Sequence, residues 1–434
     1  MGFGSQMFRL SRSFPSLTQG HSIPGFCIVL GLISSACSPA PPLTLFSSPP
    51  DPDPSGPAVQ TGGSAPPSLQ LLTWEGYAPP ALVRAFEQET GIRVNITYVS
   101  STADLQAQLD SADRPYDLVT PLASDLLWGA EPDQSLASRY QPWDLDRITN
   151  RAGLNPVLVT QAQQLTQSPQ PGIATLGADT PAPQTPPAQP PNAPKTPAPY
   201  GLPAAWGTLG LVVNTATVDR PIRSYRDLCD RALPQQVSLP RQFPSLMVAA
   251  YAQGLNPFQA LQQVPPDPLA WGKLLAESDR YLRRCQGNLA PPWQNAEDII
   301  DLMYDRRASV SLAWDSTGWL LHQLDPAFEF VVPQEGALGW MTVFALPLGA
   351  TQPDAAYAWL NFLYQADRAA AFTLASGFSS PVLAALDDLP PAQQTLLKAT
   401  YSPAQIAQIH WLPPHPTVLN PVTATYTRRL ENRP

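Results

Sequence analysis

Apolar and polar positions in this chain change period repeatedly. Leu69, Leu71, Leu72 and Trp74 make a short apolar run that predicts a strand over 69–74. Behind Pro79-Pro80 the apolar positions Leu82, Val83 and Phe86 recur at helical spacing, and Gly91 supplies a C-terminal stop. Alternation resumes over 92–99, a second helical pattern covers 102–109, and 116–120 reads as a buried strand. Strand, helix, strand, helix, strand at this spacing predicts a parallel sheet with right-handed crossovers. Further strands are predicted over 208–214, 236–239, 308–314, 328–332 and 341–346, and helices over 245–254, 267–284 and 296–305. Asp267 is a natural N-cap and Pro268 suits the first helical position. From Pro353 onward the pattern is mostly helical. The fold class is α/β.

Composition changes this picture in two places. Of 434 residues 54 are proline, but 10 of these fall in 38–67 and 12 in 169–203. The remaining chain has ordinary globular composition and is long enough for two lobes with their own cores. The stretch 169–198 holds ten prolines and two charges, so it cannot offset the entropy of ordering and reads as a disordered surface insertion. The formal net charge is −9 with no long basic run, which excludes nucleic acid as a partner.

Residues 1–37 read as a secretory signal: Arg9 and Arg12 precede an apolar stretch over 23–36 that is too short to span a bilayer. Its end fits two fates. Ile33-Ser34-Ser35-Ala36-Cys37 resembles a lipobox with Cys37 as the lipidated residue, although Ile33 lies one place early. Ser34 and Ala36 also fit an ordinary small-x-small cleavage site. The placement of a scarce cysteine there, followed by a Pro/Ser/Gly-rich tether over 38–67, favours the lipid anchor.

Cys229 and Cys285 are the two cysteines of the folded region. They are either a disulfide, which the compartment permits, or two buried thiols. Neither lies in a CxxC pair, and there is no phosphate loop, GxSxG elbow or HExxH motif. Pro413-Pro414 between His410 and His415 forbids a helical pair of ligands, so no metal and no cofactor are expected. Catalysis lacks candidates, and the chain does not read as an enzyme. Tryptophan and tyrosine do recur at strand ends, where ligands bind in a parallel α/β sheet.

Trp74-Glu75-Gly76-Tyr77-Ala78-Pro79-Pro80, then Phe86-Glu87-Gln88-Glu89-Thr90-Gly91-Ile92-Arg93-Val94, resembles the opening of the bacterial extracellular solute-binding proteins, in their spermidine/putrescine-binding branch. Tyr116-Asp117-Leu118-Val119 is similar to that family's third strand. Tyr200–Gly207 with Gly210–Asn214 is similar to its crossing segment, and Trp340-Met341 and Gly377-Phe378-Ser379-Ser380-Pro381 are similar to two later landmarks. The resemblance runs in family order over about 68–385. It implies two α/β lobes joined by crossing strands, one solute held in the cleft, and a membrane permease of the ABC type as partner. The lobes would be divided as 68–207 for the first lobe, 208–312 for the second, 313–348 for a return to the first, and 349–434 for a helical part completing the second. The chain is expected to act as a monomer outside the cytoplasm, touching the membrane only through its anchor.

The resemblance also implies site residues. Trp74, Tyr77, Trp206, Trp314 and Trp340 would present aromatic faces to a cation, although each could equally be a packing residue. Asp315 would pair an ammonium group, or else serve as a helix N-cap. Ser124 and Ser379 complete the set. Three positions depart from the polyamine pattern: Pro121-Leu122-Ala123-Ser124 retains only Ser124, Thr342 replaces an aspartate, and Arg241 stands where acids are expected. A single carboxylate would leave a long polyamine with an unpaired ammonium. A small zwitterion, with Arg241 holding its carboxylate and Asp315 its amine, is the other reading.

Overall fold

A computed structural model describes residues 67–111, 115–126, 136–166, 198–263 and 265–432. The signal, the lipidation position Cys37, the tether except for Pro67, and 169–197 of the insertion lie outside the described residues.

The first half of the sheet follows the pattern. Strand β1 (Ser68–Trp74) leads to helix α1 (Pro80–Thr90), β2 (Arg93–Val99), α2 (Thr102–Asp110) and β3 (Leu118–Val119). Pro80 starts α1 without needing an N–H donor, Leu82 and Phe86 face the core, and Gly91 ends the helix at φ 70°. Strands β2 and β3 pair parallel with β1 on either side. Strand β3 is shorter than 116–120, although the N–H groups of Asp117 and Thr120 still donate to the carbonyls of Gln70 and Leu72 in β1; Asp117 also ties the sheet to the C-terminal part. Its buried carboxylate accepts from the backbone N–H of Gln70 at 2.9 Å, Thr351 at 2.9 Å and Gln352 at 2.7 Å.

After β4 (Tyr140–Gln141) and α3 (Pro156–Thr166) comes the longest strand, β5 (Gly201–Asn214). It runs straight through the expected division at 207/208, beginning seven residues before the predicted 208. Pro203 and the glycines disguise its first half as loop. They are tolerated because the register shifts between Pro203 and Ala205. Then follow β6 (Val237–Ser238), α4 (Phe243–Ala252), α5 (Pro257–Leu261), α6 (Pro268–Arg284), α7 (Ala296–Tyr304), β7 (Val310–Trp314), α8 (Asp315–Leu324), β8 (Phe328–Val331) and β9 (Leu338–Pro347). Asp267 caps α6 through Leu269 and Ala270, as expected.

Strands β5 and β9 pair antiparallel and are buried along their whole length. Strand β9 also takes β3 and β4 antiparallel, and β5 takes β7 and β8. The order is β2-β1-β3-β9-β5-β7-β6, so the two expected sheets are knitted into one network by the crossing pair.

The C-terminal part holds α9 (Pro353–Leu363), α10 (Ala366–Ser376), α11 (Pro391–Thr400), α12 (Pro403–Ala407), β10 (His410–Trp411) and α13 (Asn420–Glu431). It does not pack as one unit on the second half. Phe86 of α1 meets Trp359 at 4.9 Å and Phe362 at 5.5 Å, which puts α9 on the first half. Helix α13 packs on α6, where Trp271 Nε1 donates to Thr423 Oγ1 at 2.9 Å.

Cys229 and Cys285 form a disulfide with Cα atoms 4.7 Å apart, so the disulfide alternative holds. The element ending at Cys229 is a short 3-10 helix, Tyr225–Cys229. The Ser224–Asp227 capping box holds that single turn.

Asp117 generates a testable consequence. Asp117→Ala removes a buried carboxylate that accepts from the N–H groups of half-buried Gln70 and exposed Thr351 and Gln352, and should cost about 1.5–3 kcal/mol. Urea unfolding of both proteins measures this; a loss below about 1 kcal/mol would show that the three bonds are dispensable.

Candidate functional site

The middle of the crossing strands gathers most of the expected residues. Trp206 pairs with Met341, and Gly207 with Trp340. A Cβ on Gly207 would come within 2.6 Å of the Trp340 ring and 3.0 Å of Asp315 Oδ1, so only glycine lets these groups approach. Ser379 forms an isolated bridge with Trp206, and Trp206 Nε1 donates to the Ser380 carbonyl at 3.3 Å.

Asp315 is the first residue of α8, with Trp314 in the N-cap position, so it is not itself the cap. It is buried, and its own chain saturates it. Oδ2 accepts from the Thr208 N–H at 2.9 Å and from the Tyr401 hydroxyl, and Oδ1 accepts from the Ser316 N–H at 2.8 Å. Thr208 Oγ1 is 2.6 Å from the Tyr401 hydroxyl. Burial pushes the Asp315 carboxyl up to about 6, against the pull of these hydrogen bonds. The Tyr401 hydroxyl is raised well above its usual range, first by burial and then by the charge of Asp315.

Tyr77 lies on the other side of β9. Its hydroxyl accepts from Thr342 Oγ1 at 3.2 Å, and its ring meets Phe378 at 5.1 Å and Phe372 at 6.0 Å. Trp340 meets the same Phe378 edge-on at 5.5 Å. Trp314 is buried opposite Leu209 at the end of β7. Trp74 is fully buried, and its Nε1 donates to the Thr120 carbonyl at 2.6 Å, tying the ends of β1 and β3. Ser124 sits in the turn after β3, with Oγ donating to Asp125 at 2.9 Å; the Leu122–Thr342 bridge brings that turn to β9.

Arg241 stands apart from the cluster. It lines a separate cavity of about 480 Å³ with Arg283 and Leu430, and its Nη1 donates to the Glu431 carbonyl at 3.4 Å. Two members of the cluster were absent from the expected set. Phe378 stood within the quoted Gly377–Pro381 landmark and was readable as an aromatic there. Tyr401 had no local signal. Among the described residues no group of three or more His, Cys, Asp or Glu could hold a metal. The groups brought together are aromatic rings and hydrogen-bonding side chains, and each of the rings is buried.

Parallel flanks joined by two long crossing strands, with aromatics at their middle, define a two-lobe periplasmic-binding-protein-like fold. Residues 81–399 match the family described as bacterial extracellular solute-binding protein, and the chain belongs to that family. It is 25% identical over 332 residues to the spermidine/putrescine-binding periplasmic protein of Salmonella typhimurium, covering 75% of this chain and 80% of that one. Among solved structures it is similar to a spermidine/putrescine ABC transporter substrate-binding protein of Streptococcus pneumoniae, with TM-score 0.64 at 18% identity, covering 84% of this chain and 98% of that one. A lipoprotein of Treponema pallidum is similar at TM-score 0.62 and 17% identity, over 84% of this chain and 100% of that one.

Asp315 makes stability depend on pH. Its folded pKa lies above its ordinary value, so its contribution is present in full below about pH 4 and is lost as pH rises through about 6. The loss amounts to roughly 3 kcal/mol. Asp315→Asn should flatten the stability profile between these values, read from urea midpoints at several pH values. An unchanged slope would place the titration elsewhere.

Proposed function

We propose that this chain is the extracytoplasmic solute-binding component of an ABC-type importer, delivering a small polar solute to a membrane permease. The observation that carries this is the family match over 81–399, which spans both crossing strands. In this reading the solute sits against Tyr77, Trp314 and Trp340, with Trp74, Ser124, Trp206, Asp315 and Ser379 in support. Ligand binding biases an open–closed equilibrium about β5 and β9, and the closed form docks on the permease. Transport energy would come from a separate ATPase.

The ligand class we infer is a small amine, polyamine-like or amino-acid-like. The named ligands of the relatives favour polyamines. Asp315 favours an amine with fewer charges, because its carboxylate is already engaged by Thr208, Ser316 and Tyr401. A thermal-shift series with spermidine, putrescine and amino acids tests this reading. A ligand at a hundred times its Kd should stabilise the protein by about 2.7 kcal/mol. Trp340→Phe should weaken binding of a cationic ligand several-fold, since a cation–aromatic contact is worth about 0.5–2 kcal/mol; Trp340 is buried, so the variant should also melt lower without ligand, and affinities are compared by titration below both transitions. No shift with any amine would sink the ligand class. Arg241→Glu should leave amine affinity within about twofold if Arg241 acts only in its own cavity.

Lipid anchoring at Cys37 is part of the same proposal; the Treponema neighbour is itself a lipoprotein. Membranes from cells expressing the protein should retain it, and Cys37→Ser should leave the precursor unprocessed by the lipoprotein route. Wild-type protein recovered only in the soluble fraction, with an unmodified N-terminus, would remove the anchor.

A further inference from the structure

The C-terminal segment encloses a second chamber beside the crossing strands. Trp206 of β5, the loop from Ser379 to Val382, the following 3-10 turn (Leu383–Asp388), α11 and α12 surround a cavity of about 360 Å³. That is within the range of small-molecule sites. Val382, Leu386, Leu389, Leu397 and Ile406 make its walls aliphatic. The rings of Trp206 and Tyr401, with centroids 4.9 Å apart, supply an aromatic side. Tyr401 offers the chamber only its ring, because its hydroxyl is held between Asp315 and Thr208.

Two lining groups keep polar capacity. Ser379 is 6% exposed, and its Oγ has no hydrogen-bond partner among the described residues. The Oγ is closed off from the chamber in this form, so it would reach a ligand oxygen after rotation of its side chain. Lys398 is the one formally charged residue among the described residues that line the chamber. Its side chain is 55% exposed, and its ion-pair partner Asp387, 3.9 Å away, is more exposed still. Asp387 partly neutralises this cation and Gln394 Oε1 accepts from it at 3.5 Å, so the lining disfavours amines only modestly and takes a single negative charge where that charge replaces these partners.

We propose that this chamber binds a monocarboxylate with an apolar body, of the medium-chain fatty acid type. The alkyl chain lies against the leucines, Lys398 pairs the carboxylate, and Ser379 Oγ donates to a ligand oxygen. This site goes beyond the solute reading, with which it shares Trp206 and Ser379 as a common wall. Its occupant would bridge β5 and the C-terminal segment, since the walls come from both.

Calorimetric titration of the full protein with decanoate, below its micellar concentration, tests the proposal, with decylamine and decanol as matched probes. Decanoate should bind one to one, and decylamine at least about tenfold more weakly. Lys398→Glu should weaken decanoate about tenfold or more and leave decanol unchanged. Ala385→Phe, which fills the chamber, should abolish both; if that variant fails to melt cooperatively, Lys398→Glu and Ser379→Ala carry the test. Equal binding of amine and carboxylate, no effect of Lys398→Glu, or no decanoate binding would overturn the proposal. Displacement of decanoate by spermidine would overturn it too, by placing both in one site. Loss of polyamine binding alone would count against the solute reading and leave this one standing.

Discussion

The antiparallel ladder between β5 and β9 is the constraint from which the other features follow. Both strands are buried throughout, so every backbone donor and acceptor along them must be met within the protein. The ladder meets them from Gly201–Ala345 to Leu209–Leu338, and the outer strands attach to what remains. In this register Trp206 lies opposite Met341 and Trp340 opposite Gly207, so the two rings take opposite faces of the ladder, and a slip of one residue would change which side chain each meets. It would also move Gly207 from the only place where its missing Cβ admits the Trp340 ring. The register of this pair therefore fixes the aromatic cluster as well as the sheet.

The sequence disclosed elements in proportion to how local their causes are. Helices α1 and α6 were readable because proline, an N-cap and a C-terminal glycine act within a few residues of the helix they bound. The first half of β5 was hidden, since Pro203 and two glycines resemble a loop unless the partner strand is known. Strands β4 and β10 contain two residues each, too few for any period to show. The C-terminal helices announced their helicity. What each packs on depended on tertiary partners such as Phe86 and Trp271.

The same division holds for the site. Trp206 and Trp340 were legible through the family resemblance of the segments that hold them, and Asp315 because an acid at the end of a strand stands out against a chain that is only 14% charged. Tyr401 was not legible, because its meaning comes from a carboxylate 86 residues away. Arg241 could be placed between β6 and α4 from sequence. Its direction is set by the Glu431 carbonyl at the end of α13, and no local pattern encodes that.

The buried acids argue about ligand chemistry more strongly than the aromatics do. Asp117 and Asp315 both sit at helix starts and spend their oxygens on backbone N–H groups, where a negative charge is favoured. Asp315 also accepts from the Tyr401 hydroxyl; burial costs the carboxyl its ordinary acidity, and this hydrogen bond pulls the other way and leaves it satisfied. Acids committed in this way cannot also neutralise several ammonium groups without exposing the donors they now serve. A cation entering between the halves of this sheet would therefore be stabilised mainly by the faces of Tyr77, Trp314 and Trp340, which attract one charge well and distinguish poorly between amines. Within the site proposed above, specificity would then rest on the shape set by the β5–β9 register rather than on a row of counter-charges, with Thr342 standing where the family resemblance expects an acid.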